Sequence, residues 1–277
     1  MQGRAISLLA CAALLSLGAA CARPSEAAEG ARVLRLATTT SARDSGLLDV
    51  LLPRFEERAG CRVDLIAVGT GAALALAEAG DADAVLVHAP AAEEAFLAAG
   101  HAARRERLFY NDFVVLGPPE DPAAVRGLGP AAALARIAAG GHGFLSRGDE
   151  SGTHLREREL WAAAGGRPDW SGYAESGRGM GASLVMADEL LAHVLCDRAT
   201  YLRFAGRIEL VPLVSEAPEL ANPYSVLATD PARHPAVQAD LAQELVEFLI
   251  SPAAQLAIAE LELRGERPLR PARPLRE

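Results

Sequence analysis

From residue 33 onward, short runs of consecutive apolar residues alternate with longer stretches whose apolar residues recur at helical spacing, and small or hydroxyl residues sit at the joints. Residues 33–37, 63–68 and 84–87 read as strands. Residues 47–58, 72–79 and 91–99 read as helices, the last two closed by Gly80 and Gly100. Pro53 falls in the middle of the first helix and predicts a kink or a break there. Strands alternating with helices of this length predict a parallel sheet and an α/β fold.

The pattern continues with a strand at 113–116 and breaks at Gly117-Pro118-Pro119. A second series follows: helix 131–139, strand near Phe144, helix 153–164, strand near Tyr173, helix 182–191, strand 193–196, helix 199–204 and strand 208–212. A second polar break, Pro218 to Pro223, precedes a strand at 225–229 and helical segments from 236 to about 263. Residues 264–277 are rich in Arg and Pro and predict an extended, solvated tail. Two breaks predict two lobes, residues 33–116 with 222–277 forming lobe 1 and residues 117–221 forming lobe 2. The chain thus leaves the first lobe, builds the second and returns.

Composition narrows the chemistry. The 277 residues are 51% hydrophobic, enough for a sizeable core. All 27 basic residues are Arg. Without Lys there is no Schiff-base chemistry, no amine nucleophile and no phosphate loop of the Walker type. The net charge of -9 argues against a broad basic face for nucleic acid or an anionic membrane. It leaves a small anion open, because a site a few ångströms across answers to local donors and dipoles. The six His show no metal-ligand spacing, so no metal cation is expected. Cys61 and Cys196 fall in different lobes, where a disulfide would lock a hinge, and are expected as separate thiols.

At the amino terminus Arg4, the apolar run 5–17 and Gly18-Ala19-Ala20 predict a cleavable export signal over residues 1–20, with 21–32 as a linker. Small residues before Cys21 resemble a bacterial lipobox, which implies lipid on that cysteine; Gly18 stands where that pattern prefers Leu, and cleavage by the ordinary signal peptidase within Ala20-Cys21-Ala22 or after Ala28 is the alternative.

Three strand-to-helix turns have unusual composition: Thr38-Thr39-Thr40-Ser41, Gly69-Thr70-Gly71, and Ser146-Arg147-Gly148-Asp149-Glu150-Ser151-Gly152-Thr153. Ser, Thr, Asp and Gly are ordinary cap residues. Four successive hydroxyls exceed what one cap needs, however, and an Arg preceding an Asp and a Thr adds charge. In an open α/β sheet, ligands sit at the carboxyl ends of the strands, where helix N-termini offer unpaired N–H groups. An unprotonated tetrahedral oxyanion only accepts hydrogen bonds, so its site needs hydroxyls, backbone N–H groups and a guanidinium. Each charge-assisted bond contributes about 1.5–3 kcal/mol, so several together reach the roughly -12 kcal/mol of a nanomolar complex. Asp149 is expected to cap the following helix or hold Arg147.

These turns, together with Asp44-Ser45-Gly46-Leu47, Gly80-Asp81-Ala82-Asp83, Val87-His88-Ala89-Pro90, Tyr110-Asn111-Asp112-Phe113 and Gly179-Met180-Gly181, resemble the periplasmic tungstate-binding proteins of bacterial ABC uptake systems. The resemblance spans residues 34–230. It implies a two-lobed type II periplasmic-binding fold holding tungstate, or molybdate, between the lobes and passing it to an ABC permease, with no cofactor. Carried over by motif, the ligand contacts are Thr39, Thr40, Ser41, Thr70, Arg147, Ser151, Gly152 and Thr153. The third turn is also similar to that of phosphate-binding proteins, so phosphate or another tetrahedral oxyanion is the alternative ligand. A hydrolase built on Ser151 and His154 is not expected, because Gly-x-Ser-x-Gly is absent and the two residues are three apart at a helix start.

Overall fold

The computed structural model describes residues 32–275; the export signal, most of the expected linker and Cys21 lie outside them. β1 (Arg32–Thr39) leads into a short helix, α1 (Thr40–Asp44), then α2 (Leu47–Ala59) and β2 (Cys61–Val68). The helix α2 runs through Pro53. A proline inside a helix costs about 3 kcal/mol. Leu47, Leu48, Leu51, Leu52 and Phe55 are all buried on one face of α2, each contributing roughly 1.5–3 kcal/mol, so burial outweighs the missing hydrogen bond.

Next come α3 (Thr70–Glu78), β3 (Ala84–Val87), α4 (Pro90–Ala98) and the long strand β4 (Ala102–Gly117). The expected strand at 113–116 is only the far end of β4. Its first half carries Arg104-Arg105-Glu106-Arg107, a polar run that hides a strand from hydrophobic patterning. Ion pairs from Arg104 to Glu247, Arg105 to Glu93 and Glu106 to Arg273 satisfy that run in the fold.

The chain continues through α5 (Pro130–Ala139), β5 (Phe144–Ser146), α6 (Gly152–Ala163), β6 (Tyr173–Glu175), α7 (Met180–Glu189), β7 (His193–Asp197), α8 (Arg198–Phe204) and β8 (Val211–Val214). It returns through β9 (Ala221–Thr229), α9 (Ala239–Leu249), α10 (Pro252–Glu260) and the two-residue β10 (Arg270–Pro271). The tail is therefore not simply solvated. Leu269 is buried, β10 pairs with β4, and Arg270 grips both oxygens of Asp112 at 2.7 and 2.9 Å.

The strand order is β2-β1-β3-β9-β4-β7-β5-β6. β1 lies parallel to β2 and β3, β5 lies parallel to β6 and β7, and the pairings of β9 and β4 across the middle are antiparallel. β4 changes partner partway along: Asp112 still faces Ala221 of β9, whereas Phe113 faces Asp197 of β7. Residues 32–112 and 221–275 thus form one half around β1 to β3, and 113–220 form the other around β5 to β7. The expected boundary between 116 and 117 falls four residues further on, inside β4. Each half encloses its own apolar core, Leu34, Phe55 and Leu245 in the first, Phe144, Leu160 and Leu195 in the second. We call the halves lobe 1 and lobe 2. Cys61 and Cys196 are unpaired thiols, one in each.

Candidate oxyanion site

In lobe 1 the site begins where β1 ends. Thr38 turns into the sheet and donates to the Leu86 carbonyl at 2.8 Å, which satisfies its proton. Thr39 is the N-cap of α1, its Oγ1 accepting from Ala42 N at 3.3 Å. Ser41 Oγ lies 3.1 Å from Thr39 Oγ1, 3.1 Å from His88 Nε2 and 3.3 Å from the Tyr224 hydroxyl. Thr40 points the other way and accepts from two lobe 2 groups, Arg147 Nη2 at 3.3 Å and Met180 N at 3.4 Å. Both lone pairs of its oxygen are then used, and its proton is free to be donated. Thr70 opens α3 and is fully buried.

His88 was not among the expected contacts, although it sits at the end of β3 in a motif the sequence singles out. Its ring stacks on Tyr224 at 4.4 Å and its Nδ1 lies 2.8 Å from Asn222 Oδ1. The turn that carries it is held by Glu93, whose carboxylate accepts from Ala89 N at 2.8 Å. Burial pushes the imidazole down to about 4, the bond to Asn222 opposes this, and the Arg147 charge adds to the depression. The ring is neutral at pH 7. With Asn222 Oδ1 facing Nδ1, its proton sits there, and Nε2 accepts the Ser41 proton. Ser41 therefore faces the cleft through its backbone N–H and oxygen lone pairs rather than its hydroxyl proton.

Lobe 2 supplies the charge. Arg147 follows β5 with only 1% of its surface exposed. Its Nε donates to the Arg178 carbonyl at 2.7 Å, and Nη2 pairs with Asp149. The other Asp149 oxygen accepts from Ser151 N at 3.2 Å, so Asp149 both holds Arg147 and braces the helix start. Ser151 is the N-cap of α6, accepting from His154 N at 3.2 Å. Gly152 and Thr153 form the first turn, and Thr153 is fully buried. Behind Arg147, Glu157 is buried with Trp161 Nε1 3.3 Å from its carboxyl, and burial raises that group to about 7.

The turns of the two lobes meet. A Cβ built on Gly69 would come within 2.9 Å of the Asp149 carbonyl, and one on Gly152 within 2.7 Å of the His88 ring. Eight buried side-chain polar atoms have no hydrogen-bond partner among the described residues. Thr70 Oγ1, Arg147 Nη1, Thr153 Oγ1 and Asn222 Nδ2 are four of them, and all four sit on or beside these meeting turns. A buried unpaired donor costs about 1–3 kcal/mol, so four clustered at one interface mark a place built to receive an acceptor. Of the expected contacts, Thr40 meets Arg147 directly and the Ser41 carbonyl accepts from Thr200, whereas Thr39 and Ser151 are bonded within their own lobes and Gly152 packs against the His88 ring. Thr70 and Thr153 contribute unpaired hydroxyls from neighbouring turns.

The PBP superfamily domain, that of the periplasmic binding proteins, matches residues 25–253, most of the chain. The chain belongs to the PBP superfamily. Within that superfamily it is 42% identical over 228 residues to the tungstate-binding protein TupA of Peptoclostridium acidaminophilum, covering 81% of this chain and 80% of that protein. The crystal structure of the tungstate ABC transporter from Geobacter sulfurreducens aligns at 45% identity and a TM-score of 0.76, covering 83% of this chain and 98% of that one. The tungstate-binding protein TupA from Desulfovibrio alaskensis aligns at 43% identity and a TM-score of 0.73, covering 87% and 99%. The mixed α/β fold described above is the fold of that superfamily.

Proposed function

We propose that this protein is an extracytoplasmic receptor that captures tungstate, and with it molybdate, between its lobes and delivers the ion to an ABC permease. One observation carries the reading: a fully buried guanidinium with a spare N–H, aimed among hydroxyls that have protons left to give. That donor set suits an unprotonated tetrahedral dianion. The similarity to tungstate-binding proteins over more than four fifths of the chain narrows the anion class. The ligand contacts in this reading are Arg147 Nη1, the Thr40, Thr70 and Thr153 hydroxyls, and the first-turn N–H groups of α1 and α6 around Thr39, Ser41, Ser151 and Gly152. Ligand bonds from both lobes hold them together, and the permease reads the closed form. Export through the amino-terminal signal, with lipid on Cys21, belongs to the same reading.

Phosphate fits less well. A protonated phosphate gains from a free carboxylate acceptor, and Asp149 and Asp83, the two candidates for that role, are occupied. Asp149 is taken by Arg147 and Ser151 N, and Asp83 by Arg35 and Gln238 N. A hydrolase is disfavoured by geometry, since Ser151 Oγ meets the His154 backbone while the His154 ring accepts from Glu150 N at 3.1 Å. Calorimetric titration with tungstate, molybdate, sulfate and phosphate tests the proposal. Nanomolar binding of tungstate with weak or no binding of phosphate is expected; tight phosphate binding with none of tungstate overturns it.

A further inference from the structure

Two motifs that resemble the tungstate-binding family contribute no atom to the proposed ligand shell: Asp44-Ser45-Gly46-Leu47 and Gly179-Met180-Gly181. The structure brings them together. The helix α7 starts after Gly179, which has no side chain with which to cap it. Its first N–H groups would be orphans on their own lobe. They are taken instead by the opposite lobe. Met180 N donates to Thr40 Oγ1 at 3.4 Å, and Gly181 N donates to Asp44 Oδ2 at 3.2 Å. Asp44 is held ready for this by Arg43, whose Nε and Nη2 bond its other oxygen at 2.9 and 2.8 Å. A Cβ on Gly179 would meet Thr40 at 3.3 Å, so the absence of a side chain there lets α1 come close enough. A second contact runs beside the first, from Thr200 Oγ1 of α8 to the Ser41 carbonyl at 3.4 Å.

We propose that Asp44 is a closure latch: a positioning residue that caps α7 from across the cleft when the lobes are shut, and so sets how long a bound anion is held without touching it. The inference rests on the reading that the protein binds an oxyanion between its lobes. Its physical core is that the cap is made between lobes rather than within one. A carboxylate at a helix N-terminus is stabilising, and opening the lobes returns those N–H groups and that carboxylate to water. The bond energy therefore enters the open-to-closed equilibrium, and ligand affinity follows that equilibrium. The same residue read as mere charge predicts the opposite sign. A carboxylate near an anion site repels the ion, so its removal alone would tighten binding and speed association.

The test is stopped-flow binding of tungstate to the full-length wild type, Asp44→Ala and Asp44→Asn. In Asp44→Ala the dissociation rate is expected to rise roughly tenfold, the size of a lost cap, with the association rate within about twofold of wild type. Asp44→Asn keeps an acceptor oxygen, so it should recover most of the loss. Tighter binding in Asp44→Ala, unchanged dissociation, or a loss confined to association overturns the latch. If the wild type binds none of tungstate, molybdate, sulfate and phosphate, the functional reading has failed, and the latch is judged on the protein alone. Hydrogen exchange at Met180 and Gly181 should then be several-fold faster in Asp44→Ala than in wild type, with Asp44→Asn between; equal exchange in all three overturns the latch.

Discussion

The two lobes meet the cleft with opposite kinds of chemistry. Lobe 1 presents neutral groups that mostly satisfy one another: Thr39, Ser41, His88, Tyr224 and Asn222 form one hydrogen-bonded and stacked cluster. Lobe 2 presents a charge that is only partly satisfied, Arg147 with one pairing carboxylate, a spare N–H, and the unpaired Thr153 hydroxyl beside it. A neutral network that leaves Thr70 Oγ1 and Asn222 Nδ2 unpaired costs less to bury than a cation with unmet charge, which is costly until an anion arrives. The division of labour implies that lobe 1 fixes shape and lobe 2 supplies most of the attraction. In the proposed function neither lobe alone makes a tight site, so affinity there depends on closure.

The largest break in that comparison is Arg147→Ala. Removing the cleft's one buried guanidinium should weaken tungstate binding at least a thousandfold, about 4 kcal/mol, measured by calorimetry. Arg147 also holds the Arg178 carbonyl and Asp149, so the ligand-free protein should lose stability as well. The sequence anticipates Asp149 as a partner of Arg147 but not the Arg178 carbonyl, 31 residues away. Arg147→Lys keeps the charge without the fork and should fall between the two. Retention of nanomolar binding in Arg147→Ala would move the attraction elsewhere.

A smaller contrast concerns proton linkage, because His88 in lobe 1 and Glu157 in lobe 2, two of the titratable groups buried around the site, work in opposite directions. Glu157 in lobe 2 is raised from 4.5 to about 7. Its folded form binds the proton more tightly than the unfolded chain does, so stability declines as pH rises from about 4.5 to 7 and stays lowered above that, by roughly 3 kcal/mol. His88 in lobe 1 is lowered from 6.5 to about 4. It binds the proton less tightly when folded, so its contribution is whole above 6.5 and is lost as pH falls toward 4. Between about 4.5 and 6.5 the two slopes largely cancel. Glu157→Gln should expose this: denaturant unfolding at pH 8 should show added stability relative to wild type, with little difference at pH 4.5. The histidine's part of the remaining pH dependence, rising from pH 4 to 6.5, should then no longer be opposed by Glu157. An unaltered profile in Glu157→Gln would remove Glu157 from the account.

Much of this architecture is legible along the chain, for reasons that particular residues make plain. Strand 84–87 is a continuous apolar run, and 193–196 is one after His193, so both announce themselves. The start of β4 does not, because Arg104 to Arg107 is polar and becomes strand-compatible only when Glu93, Glu247 and Arg273 arrive from distant positions. The tail is misjudged for the same reason, since its arginines look solvated until Asp112 and Glu106 are placed opposite them. At the site, composition alone marks the hydroxyl turns and Arg147. What it cannot give is proton direction. Ser41 reads as a donor in a list of hydroxyls, and only the His88 ring and Asn222, contributed by two other strands, turn its proton away from the cleft. Asp44 is hidden likewise, because its partner lies more than a hundred residues downstream on the other lobe.

The finest test of the comparison is Gly152→Ala. Gly152 is the first residue of α6 and a point where lobe 2 packs against the lobe 1 cluster. An added Cβ would lie 2.7 to 2.9 Å from three atoms of the His88 ring, closer than real contacts allow. The ring cannot retreat freely, because Tyr224 is stacked against it and Phe109 against Tyr224 at 4.6 Å. The strain must therefore be relieved by parting the lobes. Alanine is a better helix former than glycine and its backbone is unstrained at this position, so the ligand-free protein should be as stable as wild type or slightly more so. Tungstate affinity should nevertheless fall, by about tenfold, since overpacking a tight contact costs about 1–3 kcal/mol and here that cost is paid only on closure. Unaltered affinity would mean that the rigid cluster of lobe 1 can yield, and that the contrast between a fixed lobe and an attracting one is too sharp.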